Sequence, residues 1–334
     1  MNRRFRHLRH RLEWIGLRIG LAVVPLLPRW ACYQVGQFFG VAASIIDRRG
    51  NRIALTNLEV ALGNETSAAE RKKIVRQSYQ SFANTLLDLF WSPRLTRENF
   101  RRYIEIENLE RAENEGGEKK SGIAASIHYG NFEWLSLAMG FLGYPADIVA
   151  EMQKNSLLEP MLLKARNRSG HTVVPRKGAI RRLYKTLRKG GRVAILVDLT
   201  VRPKNPSVII NCFGLKTCVT LAHAWLQQNT GAVIVPAHSE PLPGGKYRIV
   251  CHPKIELPPH ATATEVAQAC WDTFEPIIRK NPGPWLWMYK HWRFRPSDAT
   301  RAYPSYAYSS GHYEKLAKRL KREAETTQPQ ATAA

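Results

Sequence analysis

From residue 122 onward, short apolar runs alternate with amphipathic stretches. GIAASIHY (122–129), ADIVAEM (146–152), HTVVPR (171–176), RVAILVDL (192–199), SVIINCFG (207–214), AVIVPAHSE (232–240) and YRIVCHPKIEL (247–257) have the length and β-branched content of strands. Helical spacing predicts helices over 131–142, 155–169, 178–189 and 217–229, and a longer one over 262–281. Near-continuous apolar strands separated by helices predict an α/β fold whose largely parallel sheet is covered on both faces.

Upstream, residues 51–115 read as helical. Ser67 and Glu70 form a capping-box pattern, and Ile74, Tyr79, Phe82, Leu86, Leu89 and Phe90 follow along one helical face until Pro93 ends it. The polar stretch ENLERAENEGGEKKSG (107–122) reads as a loop. After residue 300 the chain turns polar and Tyr-rich; YEKLAKRLKREAE (313–325) predicts a basic helix and TTQPQATAA (326–334) a disordered end. Four segments result: an anchoring segment at 1–50, a helical region at 51–115, the α/β domain at 116–300, and a basic, largely disordered tail at 301–334.

The first segment has its own pattern. Five arginines fall within the first eleven residues, and WIGLRIGLAVVPLLP (14–28) follows. At roughly 1.5 Å per residue, about fifteen residues reach only ~22 Å, short of a ~30 Å hydrocarbon core. Arg18 interrupts the run, and Pro25 and Pro28 would kink or end it. A second apolar run (30–46) leads into Asp47, Arg48 and Arg49. Basic flanks around aromatic-rich apolar helices suit a segment in the cytoplasmic face of a membrane. The alternative is a pair of core helices. The pattern does not decide between spanning and lying flat.

Charge narrows the partners. Fifty Lys and Arg stand against 27 Asp and Glu, a formal charge of +23 over 334 residues. Such an excess calls for an acidic partner: nucleic acid, an anionic membrane, or an acidic substrate or carrier protein. No helix-turn-helix signature, zinc-finger spacing or RNA-binding aromatic motif supports the first. The five cysteines are scattered without a CxxC pair, which argues against a disulfide framework or a zinc site and for a reducing compartment.

The candidate chemistry lies in IHYGNFEW (127–134). Ligands of open α/β sheets bind beyond the carboxyl ends of the strands, where His128 falls if 122–129 is a strand. Asn131 is placed to cap the next helix, with Glu133 in its first turn. That is ordinary helix-start chemistry. The same spacing equally suits a histidine base oriented by a carboxylate, with backbone N–H groups nearby for an oxyanion.

HYGNFE resembles the His-x4-acid signature of the lysophospholipid acyltransferase superfamily, in the Glu form of the late acyltransferases of lipid A biosynthesis. Further blocks occur in that family's order: RRGNRIALTNLEVALG with the helix after it, RNRSGHTVVPRKGAIRRLYKTLRKGGRVAILVDL, NCFG, TGAVIVPAH and PWLWMYKHWRFRP. Together they cover roughly residues 10–296.

The resemblance implies a glycerol-3-phosphate/lysophospholipid acyltransferase-like fold and an O-acyltransferase at the cytoplasmic face of the inner membrane. It would move a fatty acyl group from acyl carrier protein, or less often acyl-CoA, to a lipid A precursor, with no metal or cofactor. His128 is then the general base and Glu133 its orienting acid. Arg168 matches an arginine that steadies an oxyanion or binds substrate phosphate. Asp198 matches a strand-end acid that is either substrate-binding or structural. Gly214 matches a turn glycine and Lys216, beside Thr217 at a helix start, a headgroup contact. Trp285, Trp287 and Trp292, interleaved with basic residues, suit a headgroup-level surface or the core. Cys212 replaces a family aromatic, Leu199 a common Gln, and KTCVTLAH a helix opening richer in Gly and Pro. These departures bear on the acceptor, leaving another glycolipid or a lysophospholipid as the alternative. A non-catalytic basic membrane- or nucleic-acid-binding protein is the remote one.

Overall fold

The structure is a computed structural model that describes residues 3–114, 121–150, 155 and 159–327. Its centre is a seven-stranded sheet. In chain order the strands are β1 (Ile104–Glu107), β2 (Gly122–Ser126), β3 (Asp147–Ala150), β4 (Thr172–Pro175), β5 (Arg192–Leu196), β8 (Val233–Leu242) and β9 (Lys246–Cys251). They lie side by side as β1-β9-β8-β2-β5-β3-β4, and every neighbouring pair is parallel except β8 with β9. The carboxyl ends of β2, β3, β4, β5 and β8 therefore share one edge. A separate hairpin joins β6 (Ser207–Cys212) to β7 (Leu215–Thr220).

Helices cover the sheet: α5 (Leu109–Asn114), α6 (Phe132–Phe141), α7 (Glu159–Asn167), α8 (Ala179–Arg188), α9 (Ala222–Thr230) and α10 (Ala263–Lys280). Four more precede it: α1 (Arg3–Val23), α2 (Arg29–Ile46), α3 (Arg48–Leu62) and α4 (Ala68–Trp91). The capping box that the sequence predicts for α4 is formed, with Ser67 N donating to Glu70 at 2.7 Å and Glu70 N to Ser67 Oγ at 3.2 Å.

The sheet is largely parallel, as the alternation predicts, but three segments depart from expectation. β1 lies in the region read as helical, pairing with β9 at the sheet's outer edge. Residues 217–220, read as the opening of a helix, belong to β7 instead, because Thr217, Cys218 and Val219 suit the hairpin ladder. The polar stretch read as a loop holds α5 (Leu109–Asn114), while the basic helix predicted in the tail over 313–325 forms as α11 (Gly311–Thr327), whose Tyr313 and Leu316 pack on Cys218 and Phe294. The last seven positions of that tail, 328–334, and residues 115–120 of the polar loop lie outside the described residues.

Trp285, Trp287 and Trp292 are fully buried. With Trp271 they surround Phe213 at ring-centroid distances of 5.8–6.2 Å. This block is core, not a headgroup-level surface.

Candidate active site

β2 and β5 are parallel neighbours, so the residues just past their carboxyl ends meet at the same edge. Two residues beyond β2 stands His128, and two beyond β5 stands Asp198. Nδ1 of His128 lies 2.8 Å from Asp198 Oδ1, while the His128 backbone N–H donates to Oδ2 at 3.0 Å. Trp285 Nε1 also donates to Oδ2, at 2.9 Å. Burial alone would raise the Asp198 carboxyl, but the adjoining His128, its hydrogen bond, His291 and the Trp285 donor outweigh it and hold the group below its ordinary range. An ionised carboxylate only accepts, so Nδ1 carries the proton, and in the neutral tautomer this fixes, Nε2 is the lone-pair nitrogen. Phe132 braces the imidazole, with ring centroids 4.8 Å apart. The His128 side chain stays 14% exposed, enough to be reached from the edge.

The strand-to-helix turn that presents His128 is fixed from several sides. Gly130 has φ 55°, and a Cβ there would collide with the Ser239 carbonyl. Gly130 N donates to Pro284 O at 3.2 Å and Leu286 N to His128 O at 3.2 Å, so the 284–286 segment straps the turn. Asn131 caps α6, its side chain accepting from Trp134 N at 2.9 Å. Its amide donates to Asp88 Oδ2 at 2.8 Å, and Tyr247 donates to the same oxygen at 2.7 Å. Arg29 forks onto the Asp88 carboxylate and lies over the Trp134 ring, 4.6 Å from its centroid. A fully buried carboxylate with four donors thus ties α2, α4, α6 and β9 together behind the site.

Glu133 is in the first turn of α6, as expected, but its carboxylate meets Arg166 of α7, Oε2 at 3.1 Å from Nε and Oε1 at 2.5 Å from Nη2. The acid on the imidazole is Asp198, not Glu133. The physical reason is the sheet: parallel pairing of β2 with β5 carries Asp198 to Nδ1, whereas the helical rise of α6 turns Glu133 toward α7. Arg168, two residues beyond Arg166, turns the other way and donates to the carbonyls of Ser92 and Leu95 at 3.4 Å.

Phe213 (φ 52°) and Gly214 (φ 74°) make the two-residue turn of the β6–β7 hairpin, with the paired positive φ of a type I′ turn. Gly214 borders a cleft of about 700 Å³ together with Arg279 and Arg301, linked to His128 through Phe213, Trp285 and Asp198. Lys216 is exposed on β7, not at a helix start. The structure therefore brings His128, Asp198 and Glu133 to one edge and leaves Arg168, Gly214 and Lys216 elsewhere.

Sequence patterns do not single out Trp285 as a donor to the site, nor Arg166 or Asp88. Asp88 does carry a signal, an acid within the apolar LLDLF. The other two pairings depend on contacts between distant segments.

None of the five cysteines offers a nucleophile. All are buried, and burial pushes Cys32 and Cys251 up to about 11, Cys218 and Cys270 up to about 12, and Cys212 well above its ordinary range.

Two sequence comparisons bear on the family. The sequence model described as bacterial lipid A biosynthesis acyltransferase matches residues 1–294. A lipid A biosynthesis lauroyltransferase of Escherichia coli (strain K12) is 26% identical over 303 residues, covering 89% of this chain and 96% of that protein. With the match extending over most of its length, the chain belongs to the bacterial lipid A biosynthesis acyltransferase family and is an acyltransferase.

Proposed function

We propose that this enzyme transfers a fatty acyl group from the thioester of acyl carrier protein to a hydroxyl of a lipid A precursor, at the cytoplasmic face of the inner membrane, with His128 as general base. The observation that carries this reading is the His128 imidazole, anchored through Nδ1 on a buried, ionised Asp198 while its side chain remains partly exposed at the edge.

Nε2 takes the proton of the acceptor hydroxyl as its oxygen attacks the thioester carbonyl carbon. The tetrahedral intermediate collapses, the C–S bond breaks, and the imidazolium returns its proton to the departing thiolate. An ester and a free thiol result. Asp198 holds the tautomer and stabilises the imidazolium, while Trp285 fixes Asp198 from the other side. The Glu133–Arg166 pair starts from the same sheet edge as the base, with Glu133 in the first turn of α6. There Arg166 supplies positive charge for an anionic acceptor, the role that the resemblance implied for Arg168.

The acceptor reaches this edge from a membrane. No helix among the described residues is long and apolar enough to cross one. Instead, Leu12, Ile15, Ile19 and Val23 form an exposed stripe on α1, at spacings of three and four, and Leu26 extends it at 76% exposure. On α2, Phe38 and Phe39 repeat seven residues later as Ile45 and Ile46. Exposed Arg48 and Arg49 come directly after. An apolar stripe edged by cations suits a helix pair lying in the plane of an anionic leaflet. α1 also touches the active edge, since Asn155, beyond β3, donates to His10 O and Glu13 Oε2 at 2.9 Å.

The test is transfer of labelled acyl groups from acyl carrier protein to a lipid A precursor. His128→Ala is expected to lower the rate by ~10²–10⁴-fold, the usual range for a general base. A folded variant that loses little refutes the assignment of the base. Activity only with acyl-CoA, or only on another glycolipid or a lysophospholipid, moves the donor or the acceptor and leaves the chemistry intact.

A further inference from the structure

The cationic face of α8 has no counter-charge among the described residues. Residues 176–192 contain eight Lys and Arg, and no Asp or Glu occurs from 176 to 197. On α8 itself, Ala179, Leu183 and Leu187 are buried, which turns Arg181, Lys185 and Arg188 outward at spacings of four and three. None of these three has an ion-pair partner among the described residues, whereas Arg182 on the flank is held by Asp147. Like charges at these spacings disfavour the helix that carries them. Beside the stripe, Ile180 is 38% exposed and Tyr184 leans on Trp225, with ring centroids 5.8 Å apart.

The start of this face adjoins the active edge, and the helix then runs back along the sheet toward β5. α8 comes after β4, whose carboxyl end lies on the same edge as that of β2. Three strand steps of about 4.8 Å place the two ends roughly 14 Å apart. Burial raises the Tyr289 phenol, and the charges of Arg293, Asp198 and, at the turn into α8, Arg176 act on it as well. Tyr289 donates to Thr200 O at 2.8 Å, two residues beyond Asp198.

We propose that the Arg181–Lys185–Arg188 face of α8, with Ile180 at its rim, is the docking surface for a small acidic protein that carries the acyl thioester. This rests on the acyl-transfer reading above. Charge complementarity selects the partner: an unpaired cationic stripe around one apolar residue matches an acidic helix surface. A bilayer would demand a continuous exposed apolar stripe, which α1 and α2 present and α8 buries. The short span from α8 to His128 lets a flexible carrier arm deliver its thioester while the carrier stays outside the lipid seat.

The experiment compares the full-length wild type with R181E/K185E/R188E, measuring binding of fluorescently labelled acyl carrier protein at low and physiological salt, and transfer from two donors. The expected result is a carrier Kd and KM raised about tenfold or more, with wild-type binding weakening as salt rises. Turnover from a soluble acyl-pantetheine thioester and the thermal midpoint stay unchanged. Three results overturn the proposal: wild type that does not bind the carrier, unchanged carrier binding in the variant, or loss confined to anionic-vesicle binding, which would make the face a lipid contact. Wild type that binds the carrier through this face yet transfers no acyl group refutes the functional reading and leaves the docking surface standing.

Discussion

The pocket behind His128 and the N-terminal helix pair are built on opposite principles. At the pocket, Asp198, Trp285, Asp88 and Asn131 are buried, and their polar groups pair with other segments of the chain. At α1 and α2, large apolar side chains face solvent, with Trp30 68%, Phe38 69% and Ile46 78% exposed. The first region is complete within the protein. The second leaves its apolar surface without a partner among the described residues, and hydration of that surface is the driving force for something else to cover it. Pre-organised chemistry and a surface awaiting its environment sit side by side, joined by α2, whose Arg29 reaches Asp88.

That contrast breaks most severely at Asp198. Asp198→Ala leaves the imidazole unanchored and the Trp285 N–H without its acceptor. Acyl transfer is expected to fall by ~10²–10⁴-fold, and chemical denaturation to show a loss of about 1–3 kcal/mol for the orphaned buried donor. Near-normal turnover would show that His128 needs no carboxylate behind it. Phe38→Glu combined with Ile46→Glu attacks the other region. Losing two buried apolar side chains, each worth about 1.5–3 kcal/mol, predicts at least a hundredfold weaker partition to anionic vesicles, with the thermal midpoint in detergent-free buffer unmoved. Unchanged partition would return the stripe to an unexplained surface.

Two smaller effects sharpen the comparison. Arg166→Ala removes the bidentate partner of Glu133 and is expected to cost about tenfold in kcat/KM, whereas Arg168→Ala, which loses only long contacts to carbonyls, stays within about twofold. The reverse order would restore Arg168 to the site. The last effect is a pH dependence of the interior. His223 is buried without a hydrogen-bond partner among the described residues, and burial lowers it from 6.5 to about 4. Since the unfolded chain takes up the proton first, stability is full above about pH 6.5 and declines as pH falls toward 4. A shift of this size corresponds to roughly 3 kcal/mol at most. His223→Leu should flatten that decline in denaturation curves between pH 7 and 4.5. An equally steep decline in the variant would assign the acid sensitivity to the other buried histidines.

Much of the fold is legible in residue order. Strand and helix alternation depends on local side-chain periodicity, so the parallel sheet, α6, α8, α10 and the α4 capping box can be read from the chain alone. His128 at a strand end and Asn131 as a cap come from the same local rules. The exposed N-terminal stripes are foreshadowed by composition, though only the helices show which side chains face outward. Pairing is what local reading cannot supply. Asp198 lies 70 residues from His128, and only the adjacency of β5 to β2 makes it the imidazole's partner. Glu133 sits five residues from His128, and that nearness in sequence is a poor guide, since one turn of helix is enough to direct it to Arg166. The β7 segment obeys its hairpin partner rather than its helical look, because strand preference is settled by cross-strand neighbours. Sequence thus determined the elements, their order and the kinds of side chain at their ends; tertiary structure decided which of those ends meet, because contact between distant segments is fixed by sheet order and packing, and neither is encoded within any single stretch.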